Sequence, residues 1–176
     1  MLIIYRCLIN FLNIIAPLII FFRIKKNKED PKRYKEKFGV ISNKRKAGKL
    51  IWFHGSSVGE ILSIIPLIHK FEKNKKINQI LVTSSTLSSS KVFKKYKFKK
   101  TIHQFFPVDT KVIVKRFLNY WRPNTVFFVE SEIWPNFINE IKNAGIKLIL
   151  INGRITKKSY NRWIKLKNFS NYLFKK

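Results

Sequence analysis

The sequence predicts an α/β fold: a parallel β-sheet with flanking helices, preceded by a hydrophobic N-terminal helix. Three observations carry this. Between residues 50 and 176, five short apolar runs alternate with stretches of helical apolar spacing, and such alternation builds βαβ units and a parallel sheet. Ahead of that region, residues 1–22 form one apolar run, MLIIYRCLINFLNIIAPLIIFF, followed at once by basic residues. The chain is also 176 residues long, 45% hydrophobic and 15% aromatic, enough to bury a core and to exclude general disorder.

The N-terminal run is broken by Arg6, Asn10, Asn13 and Pro17. It is marginal against the ~20 apolar residues that a crossing helix needs, so both a spanning and an interfacial anchor fit it. Arg23, Lys25, Lys26, Lys28, Lys32 and Arg33 follow; such a cluster keeps the next segment on the cytoplasmic side and attracts anionic lipid. No small-residue cleavage site follows, which argues against a secretory signal. Residues 1–28 are therefore read as a membrane anchor with its basic flank. Residues 29–49 are read as a polar linker with one short helix in EDPKRYKEKFGV, and residues 50–176 as the α/β domain.

Within that domain LIWFH (Leu50–His54) reads as a buried strand, and Gly59–Phe71 has helical spacing. Gln79–Thr83 is a second strand and Ser88–Tyr96 a helix. Thr101–Phe106 is a third strand, followed by a helix over Asp109–Trp121. Thr125–Val129 is a fourth, followed by a helix over Pro135–Ala144. Ile146–Ile151 is a fifth, and a helical stretch runs from there to the end. Gly145 stands where a helix C-cap belongs.

Thirty-seven Lys and Arg against nine Asp and Glu give a net charge of +28. That balance favours anionic partners: nucleic acid, acidic head groups or phosphorylated small molecules. Twenty-nine of the bases are Lys and eight are Arg, a bias that AT-rich coding also produces. No zinc finger, helix-turn-helix or aromatic RNA-binding signature is present, so no specific nucleic-acid partner is expected. One Cys and three His exclude a disulfide scaffold and leave no Cys/His zinc site. There is no Walker A loop and no G-x-G-x-x-G.

In open α/β sheets ligands sit beyond the carboxyl ends of the strands. The first such loop is HGSSVGE, His54–Glu60. Glu60 falls at a helix start, where the positive helix end stabilises a carboxylate. It is placed either to take a proton from a hydroxyl or only to cap the helix. Gly55-Ser56-Ser57-Val58-Gly59 also fits the G-x-S-x-G pattern of a hydrolase nucleophile. That reading needs an acid and then a His after Ser57, and no acid placed after a strand precedes the last His, His103. The loop after the fourth strand, VESEIWPN, carries Glu130 and Glu132, near Glu60 if both strands are central. Two such carboxylates could orient a hydroxyl or stabilise positive charge, or pair with lysines. The run Thr83–Ser90, with Thr86, suits phosphate or sugar oxygens or simply caps a helix. Asp109 reads as the N-cap of its helix. Arg154 could hold a phosphate bidentately or be structural.

Together YKEKFG, IWFHGSSVGE, LVTSSTLSSS, HQFFPVD, FLNYWRPN, FVESEIWPN and INGRITKKSYNRW resemble the 3-deoxy-D-manno-octulosonic acid (Kdo) transferases of lipopolysaccharide assembly, over essentially the whole chain. The resemblance implies the N-terminal, Rossmann-like, acceptor-binding half of a GT-B glycosyltransferase. It implies transfer of Kdo from CMP-Kdo to a lipid A precursor at the cytoplasmic face of the inner membrane, with no cofactor and no metal at the transfer site. It implies Glu60 as base on the acceptor hydroxyl and Glu130 as support for the transition state. Ser57, Gly59, Thr86, Glu132 and Arg154 are then expected to contact the acceptor. Two departures are mild: Ser88-Ser89 stand where the family has Thr-Gly, and Asn152-Gly153-Arg154 where it has Asn-Ala-Arg. The family continues for another domain, so CMP-Kdo is expected to need a missing or separate donor half, and the chain alone to be inactive. The alternative expectation is a non-catalytic module at the membrane that binds anionic lipid.

Overall fold

The computed structural model describes residues 1–130 and 132–174. Ser131, between the two glutamates of the fourth loop, and the last two residues of the C-terminal stretch lie outside the described residues. Five parallel strands, β1 (Leu50–His54), β2 (Gln79–Ser84), β3 (Thr101–Phe105), β4 (Thr125–Val129) and β5 (Lys147–Ile151), form one sheet in the order β3-β2-β1-β4-β5. All five lie within a residue or so of the expected runs. β1 and β2, buried at every residue, are legible because a strand covered by helices on both faces must be apolar on both faces.

Seven helices flank the sheet or precede it among the described residues: α1 (Leu2–Lys25), α2 (Val58–Glu72), α3 (Leu87–Phe93), α4 (Lys111–Trp121), α5 (Pro135–Asn143), α6 (Lys157–Lys165) and α7 (Lys167–Phe174). Successive strand residues alternate between two cores. Trp52 and Phe128 pack with Phe117, Trp121 and Phe137 on the α4–α5 side. Ile51 and Phe53 pack with Ile61, Ile64 and Ile68 on the α2–α3 side. α3 ends earlier than its apolar spacing suggests: Lys95 and Tyr96 turn back onto the carbonyls of Val92 and Phe93, and Tyr96 stacks on Phe98. α5 ends as expected, with Gly145 at φ 65° beyond its last turn.

α1 takes in the whole apolar run, with Pro17 inside it. The segment after it contains a short 3-10 turn, Tyr34–Phe38, packed against β3. Its Glu36 is buried, although its neighbours in sequence are basic.

One expectation is overturned. Asp109 does not cap α4. Thr110 does, its side chain accepting from the Ile113 N–H, because α4 begins at Lys111. Asp109 is buried and caps a different helix, α5: Oδ2 accepts from the Asn136 N–H at 2.9 Å and Oδ1 from the Phe137 N–H at 2.8 Å. Trp134, the residue before α5, offers no side-chain cap of its own.

Candidate active site

The strand order fixes the location. From β1 the chain runs outward to β2 and β3, then returns to β4 on the other side of β1. The ends of β1 and β4 therefore flank the topological switch point, where open α/β sheets form a ligand crevice. His54 lies beside Phe128 in the register, so the loops carrying Glu60 and Glu130 leave the sheet side by side.

In the first loop Ser57 is the N-cap of α2, and Glu60 is three residues on. The Ser57 Oγ accepts from the Glu60 N–H at 3.3 Å and donates to Glu60 Oε1 at 2.8 Å. Oε2 accepts from the Ser56 N–H at 2.7 Å. This is a capping box whose return bond lands one residue upstream of the usual place. The carboxylate is held at the positive end of α2 and is only 9% exposed. A methyl group on Gly55 would stand 3.1 Å from Glu60 Cβ, so a larger residue there would press the Glu60 side chain aside by a few tenths of an ångström. At Gly59 the space is open: a Cβ would meet nothing nearer than the Ser57 Oγ at 4.0 Å. Ser57 faces Glu60 and not an imidazole.

In the second loop Glu130 adopts a left-handed conformation, φ 59°, as does Asn152 at φ 52° after β5. Each such non-glycine residue costs about 1–2 kcal/mol, and strain of this kind gathers at functional sites. The Glu130 N–H donates to the Ile151 carbonyl at 2.9 Å, and Asn152 Nδ2 donates to Glu130 Oε1 at 3.4 Å. Glu132 is fixed more tightly. His54 Nε2 lies 3.1 Å, and Trp134 Nε1 2.6 Å, from its Oε2.

His54 itself is fully buried and lies flat on Phe106, ring centroids 3.6 Å apart. One wiring satisfies every group in this chain: Trp52 Nε1–H donates to Thr83 Oγ1 (2.9 Å), the Thr83 hydroxyl to His54 Nδ1 (3.0 Å), and His54 Nε2–H to Glu132. Burial pushes the Glu132 carboxyl up. The hydrogen bonds from His54, Trp134 and Ser56 outweigh it and leave the group below the ordinary carboxylate range. Ser56 thus touches both loops, with its N–H on Glu60 and its hydroxyl toward Glu132. Nothing in the residues around His54 and Trp134 hints that they hold Glu132; only the pairing of β1 with β4 reveals it.

Glu130 and Arg154 line one cavity of about 540 Å³ with Ser159 and Trp163. Glu132 lines a neighbouring, largely apolar cavity of about 520 Å³ with Ile138, Leu148 and Leu173. Both cavities share Ile133, Leu150 and Phe174. Glu60, Ser57, Gly59 and Thr86 line neither. Thr86 is exposed and caps α3, accepting from the Ser89 N–H at 3.1 Å. Its loop touches the first one through Ser89 Oγ, which donates to the Ser56 carbonyl at 3.4 Å. The structure thus places the two glutamate loops next to each other and joins them at Ser56, with Arg154 on the Glu130 side.

Asp109 adds a titratable group behind the crevice, bonded also to the Tyr5 hydroxyl at 2.7 Å. Burial pushes its carboxyl up to about 6, against the pull of Tyr5, the two α5 N–H groups and Arg6. His103 moves the other way: burial, then the charges of Arg33 and Lys94, push it down to about 3. The signs are opposite. Between pH 3.8 and about 6 the folded state holds a proton on Asp109 that the unfolded chain lacks, so acidification stabilises. Between about 3 and 6.5 the unfolded chain holds a proton on His103 that the fold excludes, so acidification destabilises. The two effects offset each other near pH 4–6. Asp109→Asn is therefore expected to expose the His103 loss. Measured by urea unfolding, the variant should lose stability relative to the unsubstituted chain by up to about 1.4 kcal/mol per pH unit as pH falls from 6 to 4. Parallel pH profiles for the two proteins would refute the assignment.

Comparison with known proteins gives a consistent set of matches. A model of the family described as 3-Deoxy-D-manno-octulosonic-acid transferase (kdotransferase) matches residues 32–176. A protein of Arabidopsis thaliana named "Probable 3-deoxy-D-manno-octulosonic acid transferase, mitochondrial" is 38% identical over 159 residues, covering 90% of this chain and 36% of the relative. The 3-deoxy-D-manno-octulosonic acid transferase of Rickettsia bellii is 38% identical over 158 residues, 90% of this chain and 38% of the relative. A bifunctional glycosyltransferase/methyltransferase of Fusobacterium nucleatum is 37% identical over 142 residues, 76% and 22% of the two chains. The chain thus spans less than two fifths of the length of these curated relatives.

Proposed function

The chain belongs to the Kdo transferase family of glycosyltransferases, and on that premise we propose that it forms the acceptor-binding half of an enzyme moving Kdo from CMP-Kdo to a lipid A precursor at the cytoplasmic face of the inner membrane. The observation that carries the reading is the adjacency of β1 and β4 at the switch point of the sheet, from which the Glu60 loop and the Glu130–Glu132 loop leave side by side. In the proposed step an acceptor hydroxyl oxygen bonds to the anomeric carbon of Kdo. The bond from that carbon to the CMP phosphate oxygen breaks, CMP leaves with the bonding electrons, and Glu60 takes the hydroxyl proton. Each Glu60 oxygen accepts one hydrogen bond from its loop and keeps a lone pair for that hydroxyl.

Positive charge develops at the anomeric carbon as CMP departs, and Glu130 is the carboxylate placed to stabilise it. Arg154, on the same cavity, suits an anionic group of the acceptor, and Ser57, Gly59, Thr86 and Glu132 are proposed as further acceptor contacts. CMP-Kdo binding is assigned to a donor half supplied beyond or beside this chain. A net charge of +28 would gather a phosphorylated lipid at an anionic membrane.

A second reading has one observation in its favour: the Glu60 carboxylate is engaged in a capping box and lines neither cavity. On that reading the chain is a lipid-binding module at the membrane without catalytic action. The deciding experiment supplies a donor half, CMP-Kdo and the lipid A precursor in vesicles, and follows the lipid by mass spectrometry. A mass gain of one or more Kdo residues is expected. Binding of the lipid with no mass gain would favour the module.

A further inference from the structure

We propose that α1 lies in the plane of a lipid bilayer surface, its apolar face set into the acyl boundary, and does not cross the membrane. By length and composition alone a crossing would be allowed: 24 residues, with a mean hydropathy of 2.1 over an 18-residue stretch, reach about 36 Å at 1.5 Å per residue, against a hydrocarbon core of about 30 Å. The contacts of the helix decide otherwise.

One stripe of α1 is turned to the protein along its whole length. Tyr5, Ile9, Asn13, Ala16, Ile20 and Arg23, at helical spacing, are all at least partly buried, with Ile20 only 7% exposed. Both ends of that stripe are tied down. At the N-terminal end the Tyr5 hydroxyl donates to Asp109, and Arg6 Nε donates to Asn136 Oδ1 at 2.9 Å with Glu140 3.7 Å away. At the other end Arg23 Nε donates to the buried Glu29 at 2.8 Å, and Lys37 shares that carboxylate. Tyr5 and Arg23 are separated by about 27 Å of helix at 1.5 Å per residue. If α1 crossed a bilayer with its basic flank on the near side, Tyr5 and Arg6 would stand at the far side. Asp109, in the loop after β3, and Asn136 and Glu140, on α5, belong to the packed α/β domain and cannot follow. The crossing and these bonds exclude one another.

The opposite stripe carries Ile4, Leu8, Phe11, Ile14, Leu18 and Phe22, all more than half exposed. A bilayer suits it as occupant on grounds of charge as well as polarity. Lys25, at the end of the helix, and Lys26, Lys28, Lys32 and Lys35 after it are exposed, at the height of anionic head groups when α1 lies flat. Self-association through the same stripe would crowd these lysines against their copies. The arrangement has a consequence that rests on the function proposed above. Asp109 and Asn136, which seat the N-terminal end of α1, also hold the start of α5 behind the Glu130–Trp134 loop, so a flat α1 keeps the crevice at head-group level.

Depth measurement tests the orientation without any transfer assay. In a Cys7→Ser background, which removes the one native cysteine, single cysteines at Ile4, Ile14 and Phe22 carry a nitroxide. The full chain is bound to phosphatidylethanolamine–phosphatidylglycerol vesicles and read by power saturation. The expected result is one common shallow depth, about 5–10 Å below the head groups, at all three positions. A deep Ile14 between two shallow ends overturns the proposal in favour of crossing. Spin–spin broadening at all three sites with no lipid burial overturns it in favour of a second copy. Loss of Kdo transfer with an unchanged flat profile would count against the function and leave the orientation standing.

Discussion

Replacing Glu60 with Gln is expected to lower Kdo transfer about 10²- to 10⁴-fold, the usual worth of a positioned general base, while leaving the fold nearly as stable as before. The structure makes this substitution unusually discriminating. Glu60 closes a capping box with Ser57 and the Ser56 N–H, and Gln serves in such a box as well as Glu does. Its amide oxygen can accept from Ser56 and its amide nitrogen can donate to the Ser57 Oγ. An amide cannot take the proton of an attacking hydroxyl. If Glu60 only caps α2, Gln should therefore be close to neutral in every assay. If it is the base, kcat falls while the unfolding midpoint and the affinity for the lipid acceptor stay near their original values. The measurement is single-turnover transfer in a chain supplied with its donor half, paired with urea unfolding of the same protein. Near-normal turnover in Glu60→Gln would remove the base assignment; a large loss of stability alongside the rate would leave capping as the explanation. The loss expected in kcat corresponds to about 2.7–5.5 kcal/mol of barrier, against a few tenths for the cap.

The sheet was legible because its signals are local. β1, β2 and β4 are short, largely buried apolar runs, and each of α2 to α6 starts at a hydroxyl or a proline. The adjacency of the Glu60 and Glu130 loops was legible only conditionally, since it needed β1 and β4 to be neighbours. What stayed hidden depends on residues far apart in sequence. The Tyr5–Asp109 bond joins positions 104 apart, and nothing in either neighbourhood announces it. Asp109 has the right residue type for an N-cap and the right distance from a helix. Thr110 sits one residue nearer, however, and the start of α5, opened by Pro135 without a cap of its own, takes the carboxylate instead. His54 looked like the last residue of a strand. Its role in fixing Glu132 follows from Thr83 on one side and Trp134 on the other. Burial of Glu36 was masked by composition: an acidic residue amid lysines reads as a solvated surface.

Glu36 gives the largest stability effect expected from a single change outside the apolar core. It is 1% exposed and accepts four hydrogen bonds: two from Arg33 at 2.8 and 2.9 Å, one from the Ser42 hydroxyl at 2.6 Å, and one from the Phe105 N–H at 2.7 Å. The last of these explains the others. β3 is an edge strand, and its outward N–H and C=O groups have no neighbouring strand. Glu36 satisfies the Phe105 N–H, while Arg33 Nη2 and Asn43 Nδ2 satisfy the His103 carbonyl. The segment ahead of the sheet thus closes an edge that would otherwise be open to pairing with another chain. Glu36→Ala would leave the Arg33 guanidinium without its bidentate partner and the Phe105 N–H without an acceptor. Breaking a buried pair from one side costs about 3–5 kcal/mol, a large part of the ~5–15 kcal/mol by which domains are stable. Glu36→Gln keeps an acceptor for Phe105 and gives up the charge, so about 1–3 kcal/mol is expected. Urea unfolding of the two variants tests the ranking. If residues 29–49 were a solvated tether, both substitutions would stay within about 0.5 kcal/mol of the original protein. A cost in the expected order, Ala above Gln, would establish that segment as part of the folded unit carrying the crevice.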